Sequence, residues 1–141
     1  MKKVDISELY DMLKSLSGSY ILCFDIIHFM SINDNYGFSI GDIILAKTAK
    51  RIEKYLSDEM LLFRIGHDEF AVITGFYDVN HAKELSDKII NDNGKLETVG
   101  DNEIPLSLRV GIIRLPDKGI NYEDVLQSMQ TAINEERIKE G

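Results

Sequence analysis

Leu61-Leu62-Phe63-Arg64-Ile65-Gly66-His67-Asp68-Glu69-Phe70-Ala71-Val72-Ile73-Thr74 decides the reading of this chain. Two apolar runs flank a short polar turn with adjacent carboxylates, the pattern of a β-hairpin with Asp68 and Glu69 at its tip. Upstream, the apolar run Tyr20-Ile21-Leu22-Cys23-Phe24 ends in a lone acid, Asp25. Acids at the ends of neighbouring buried strands can converge on divalent cations, the layout used in two-metal phosphoryl transfer. Plainer readings stay open for each acid. Asp68 and Glu69 suit a solvated turn, and a buried Asp25 could cap a helix or pair with Arg64.

Apolar spacing predicts the remaining elements. Residues 7–16 carry Leu9, Met12, Leu13 and Leu16 at helical intervals. Residues 20–24 are apolar on both faces, as in a central strand. Phe29, Ile32 and Tyr36 suggest a short helix closed by Gly37. Asp42 is placed to open a longer helix whose inward stripe is Leu45, Ala49, Ile52 and Leu56. Asn80 reads as the cap of a helix ending at Ile90, with Ala82, Leu85, Ile89 and Ile90 inward. Residues 95–99 and 106–115 read as a second hairpin around Gly100-Asp101-Asn102. Residues 121–138 form the last helix, burying Val125, Met129, Ala132 and Ile133. The expected fold is α+β, a mixed central sheet with helices packed mainly on one face, in the manner of a nucleotide polymerase or cyclase palm. The division expected is an N-terminal helix, 1–19, followed by one domain, 20–141.

The 141 residues are 44% apolar, enough for a single domain with a sizeable core. A formal net charge of −8 argues against duplex nucleic acid as a partner, although a nucleotide's own charge can be neutralised locally. One cysteine, Cys23, lies in an apolar strand, so no disulfide forms within the chain, which suits a reducing cytoplasm. The opening Met1-Lys2-Lys3 leads into no long apolar stretch, so neither a signal peptide nor membrane insertion is expected. His28 and His81 have no partner at zinc-ligand spacing.

Gly66-His67-Asp68-Glu69-Phe70 resembles the signature of the GGDEF family of diguanylate cyclases at four of five positions. A second block strengthens this: Phe24-Asp25-Ile26, then Phe29, Ile32-Asn33-Asp34-Asn35-Tyr36-Gly37 and Gly41-Asp42. Val110-Gly111-Ile112 and the helix after it form a third. The resemblance implies that Asp25, the carbonyl of Ile26 and Asp68 ligate Mg2+ or Mn2+. It implies that Glu69 supports the site or helps deprotonate a ribose hydroxyl, and that Phe29 and its neighbouring backbone cradle phosphate. Asn33 and Asp42 match the family's guanine readers, with helix capping as the alternative for each. Gly66 and His67 fall where the family's backbone approaches the nucleotide. The substrate implied is GTP, and the reaction couples two nucleotides across a transient antiparallel homodimer.

The departures are specific. His67 replaces a glycine, where its ring either obstructs the pocket or donates to a phosphate. Met30 stands in place of a lysine, Arg137 falls near another phosphate-binding lysine, and Phe38 replaces a common histidine. The family's N-terminal motif is not visible before Ser19, nor is a further basic residue past Gly141. Ser57-Asp58-Glu59-Met60 occupies the place of an inhibitory product site and has neither its arginine nor its aspartate. The expected activity is therefore a weakened diguanylate cyclase. Two alternatives are a degenerate GTP-binding regulatory module without turnover and a stand-alone palm cyclase making another cyclic nucleotide.

Overall fold

The computed structural model describes residues 5–140, so the expectation for Met1-Lys2-Lys3 lies outside the described residues, as does that for Gly141. In chain order the elements are α1 (Ile6–Ser15), β1 (Tyr20–Ile26), α2 (Phe29–Tyr36), α3 (Phe38–Glu53), β2 (Leu61–Arg64), β3 (Glu69–Ile73), α4 (Val79–Ile90), β4 (Leu96–Val99), β5 (Asn102–Pro105), β6 (Leu108–Arg114) and α5 (Tyr122–Glu140). Four strands form the central sheet in the order β2-β3-β1-β6, and β4 and β5 make a separate two-stranded ribbon. The architecture is the expected α+β palm. All pairings in its sheet are antiparallel: β1 runs against both β3 and β6, and β2 runs against β3.

Strand alternation divides the core. Leu22, Phe24 and Ile26 of β1 face one cluster with residues of α2, α3 and α4, while Ile21 and Cys23 face a second with residues of α1 and α5. Helices therefore cover both faces, not mainly one. A central strand apolar on both sides has to be sealed twice. Leu9 and Leu13 of α1 are buried against the second face.

Four local expectations change. The second hairpin joins β4 to β5, not to β6, which pairs with β1 over seven residues. Pro105 ends the ribbon, and Leu106 and Leu108 turn the chain back into the core. Helix α4 is capped by Asp78, whose extended backbone lets Oδ1 accept from the Asn80 N–H at 2.9 Å. Helix α3 begins at Phe38, so Asp42 lies in its second turn and caps nothing. Gly37 forces the early start. With φ +92°, a conformation that favours glycine, it ends α2 and opens α3 at a single residue. Leu56, expected on the α3 stripe, follows the end of that helix and is partly buried.

Candidate functional site

The acids meet because of strand register. Asp25 lies opposite Glu69 of β3 on one side and opposite Arg109 of β6 on the other. Directly paired residues project to the same face, here the face covered by α5. Asp68 stands just before β3, its carbonyl accepting the Ile26 N–H at 3.3 Å. Across the turn from β1, His28 takes the left-handed conformation (φ 58°, ψ 37°) and starts α2 without a side-chain cap. The first-turn N–H groups of that helix have no intrahelical acceptor and suit an anion. Asp25, Phe29, Asn33, His67, Asp68 and Arg137 line one open cleft of about 500 Å³.

Asp25 has no solvent exposure, and both its oxygens are engaged. Arg109 donates from Nε to Oδ1 at 2.9 Å and from its terminal nitrogen to Oδ2 at 3.1 Å. Arg137 donates from Nε to Oδ2 at 2.9 Å, with its Nη2 2.8 Å from the same atom. Arg109 extends on to Glu140 at 2.7 Å, and Arg137 lies 3.6 Å from Glu69. Pairing with Asp25, above all, holds the Arg109 proton more firmly than usual. Burial pushes the Asp68 carboxyl up, Asp25 adds to the shift, and Arg137 opposes it. Glu69 is also pushed up, first by burial, with Arg137 again opposing.

These contacts remove several of the plainer readings. Arg64 is not the partner of Asp25. Its guanidinium lies 5.9 Å from the centre of the Phe70 ring and donates to the His67 carbonyl. Asp68 is half-buried and the Glu69 side chain is 13% exposed, so the acids are not a solvated tip. Asn33 sits within α2 and Asp42 within α3, so neither caps a helix. Asn33 reaches over Gly41, where a Cβ would come within 3.0 Å of its Cγ. Asp42 is exposed and lines a second groove with Leu45, Ala46, Arg64 and Phe70. The structure thus gathers most of the predicted site residues in the cleft and leaves Asp42, Gly66 and Glu69 outside its wall. Gly66 packs on Glu69, whose Cβ lies 3.3 Å from where a glycine replacement would place its own. Phe29 is buried and meets the exposed His67 ring edge-on at 5.5 Å.

Arg109 is the residue that sequence reading missed. Its signal was a lone cation inside Leu108-Arg109-Val110-Gly111-Ile112-Ile113. A charge on a covered strand face requires a partner.

A palm-like sheet with acids at one end of β1 and β3 and an anion-suited turn beside them sets the class, an α+β palm-like domain. The chain belongs to the family described as "Diguanylate cyclase, GGDEF domain", which it matches over residues 6–140. It is 28% identical over 120 residues to the probable diguanylate cyclase DgcT of Escherichia coli K12, covering 82% of this chain and 26% of that protein. With the probable diguanylate cyclase DgcF of the same strain, identity is 44% over 71 residues, 47% of this chain and 22% of DgcF. The chain thus spans about a quarter of these relatives' length. Among solved structures, the GGDEF domain of PA1120 (TpbB or YfiN) from Pseudomonas aeruginosa superposes with a TM-score of 0.76 at 28% identity, covering 85% of this chain and 71% of that one.

GGDEF cyclases use GTP and a divalent metal. The arrangement here does not fit that ion as it stands. Both oxygens of Asp25 are held by guanidinium groups. Among the described residues, no three His, Cys, Asp or Glu side chains are grouped to hold a metal. No described helix is long and apolar enough to cross a membrane.

Proposed function

We propose that this domain binds GTP and condenses two molecules into cyclic di-GMP with low turnover. The observation that supports this most is the convergence of Asp25, Asp68, Arg137 and the first turn of α2 on one cleft, with Glu69 3.6 Å from Arg137. In this reading the triphosphate lies against the α2 turn, with its charge met by N–H groups and by Arg137. Asn33 and Asp42 accept from and donate to the guanine edge, since an amide offers both functions and a carboxylate accepts from N1–H and N2–H. Glu69, with its carboxyl pushed up by burial, is placed to take the proton of the ribose 3′-hydroxyl. That oxygen attacks the α-phosphorus of a GTP held by a second copy, and pyrophosphate leaves. Two such steps close the ring, which requires two sites face to face in a transient antiparallel homodimer. The protein's contribution is chiefly positioning.

Low turnover follows from Asp25. A carboxylate saturated by two guanidinium groups offers little negative charge to an incoming ion. The same observation favours a second reading, a GTP-binding module that signals without turnover. Incubation with each nucleoside triphosphate and Mg2+ or Mn2+, followed by mass analysis, separates them. Slow formation of cyclic di-GMP from GTP alone is the expected result. GTP binding without product selects the regulatory module, and a different cyclic nucleotide overturns the guanine reading.

A further inference from the structure

We propose that Arg109 is a built-in counter-cation that withholds Asp25 from a divalent ion. This rests on reading Asp25 as the acid that meets the ion in the family's reaction. Three features distinguish Arg109 from an incidental ion pair. It stands directly opposite Asp25 in the β1–β6 register, so the backbone itself sets the approach. It grips both carboxylate oxygens, through Nε at 2.9 Å and a terminal nitrogen at 3.1 Å. Its far side is fixed by Glu140 at 2.7 Å, and the side chain is only 14% exposed. A bidentate guanidinium held at two ends keeps its geometry at small entropic cost.

Arg137 differs. It comes from α5, is 40% exposed, and reaches only Oδ2 of Asp25. It can leave toward a phosphate without unmaking the sheet. Arg109 cannot follow, because it stands on β6 beneath α5 and its exit is tied to Glu140. A nucleotide that draws Arg137 away therefore still meets an Asp25 neutralised by Arg109. A divalent ion must then sit close to a fixed positive charge on the same carboxylate, an unfavourable arrangement at any effective dielectric. Arg109 acts through Asp25 and is a positioning residue.

The test is Mn2+ titration of the full chain without nucleotide, followed by electron paramagnetic resonance of free Mn2+. Arg109→Gln keeps the size and removes the charge, leaving Arg137 to satisfy Asp25. It should bind Mn2+ at least tenfold more tightly than the unmodified protein, and adding Asp25→Asn should abolish the gain. Glu140→Ala, an exposed change that leaves the core intact, frees the far end of Arg109 and should tighten Mn2+ severalfold. Unchanged or weaker Mn2+ affinity in Arg109→Gln overturns the proposal. If Arg109→Gln does not fold, unchanged affinity in Glu140→Ala does so. GTP binding, measured separately by calorimetry, keeps the two readings apart. Tighter Mn2+ with no GTP binding sinks the proposed function alone, and intact GTP binding with unmoved Mn2+ affinity sinks the role of Arg109 alone.

Discussion

At the scale of single residues, Asp25 and Asp68 are both acids of the cleft, yet their energetics have opposite signs. Asp25 is fully buried and neutralised by two guanidinium groups. Removing one partner of such a set leaves charge stranded in a poorly solvated site, at a cost of several kcal/mol. Asp25→Asn should therefore lower the unfolding free energy by about 3 kcal/mol. Among the described residues no guanidinium lies within ion-pair distance of Asp68, and burial makes its charged form unfavourable. Neutral Asp68→Asn should leave the fold as stable or raise stability by about 0.5–1 kcal/mol, as many changes at strained functional positions do. Urea denaturation of both variants at neutral pH checks the contrast. Equal losses would mean that Asp68 also has a structural partner. Asp68→Asn is consequently the cleaner probe of activity, because lost turnover there is not confounded by lost fold.

Elements position those residues, and a close contact against helix backbone lies beneath α5. Gly111 of β6 faces Ala132, where an added Cβ would come within 3.0 Å of the Ala132 carbonyl oxygen and of its Cβ. Backbone cannot step aside as a flexible side chain can. Gly111→Ala should lift α5 from the sheet and destabilise the fold by about 1–3 kcal/mol. Because Arg137 and Glu140 ride on α5, the same shift should loosen both of its links to the Asp25 cluster. Thermal unfolding gives the stability, and Mn2+ affinity of the folded variant reports the loosening. A variant with unchanged Tm would show that the helix yields more easily than its contact implies. By contrast, Gly41 abuts the movable end of Asn33, so the α2–α3 corner tolerates adjustment that the β6–α5 contact does not.

Across the whole molecule, a second charged centre ties the ribbon to the helical layer. Buried Arg51 of α3 donates to the carbonyls of Asp92, Lys95 and Leu106 and to Glu97 at 2.7 Å. Asp92, 1% exposed, accepts from Lys95 and Tyr55 at 2.7 Å each and lies 3.0 Å from Lys54. The Lys95 bond first, then Tyr55 and Lys54, hold its carboxyl well below the usual range. A depressed folded-state pKa means that the unfolded chain binds the proton more readily. This stabilisation is complete above the unfolded value, about 3.9, and is lost as pH falls through the folded one. Asp68 and Glu69 act oppositely, since their raised values favour protonation in the folded state. Urea midpoints measured from neutral pH downward should fall steeply only below about pH 4. Asp92→Asn should start lower and lose less over that range. Parallel curves for the two proteins would remove Asp92 as the source.

The sequence by itself determined the elements whose pattern is local. The β2–β3 hairpin, the apolar β1, the helical stripes of α4 and α5 and the acids Asp25, Asp68 and Glu69 all follow from periodicity and short motifs, as does the family. Tertiary structure decided what depends on register and on the packing of distant segments. Pairing of β6 with β1 set Arg109 against Asp25, 84 residues apart in the chain, and packing of α5 brought Arg137 to the same carboxylate. The ribbon of β4 and β5 separated from the sheet because β6 was better paired elsewhere. Gly37 opened α3 four residues before Asp42, so a side chain that looked suited to capping was left exposed. Local pattern records which residues are apolar, charged or turn-forming. Which charge meets which depends on strands and helices that become neighbours only when the core closes.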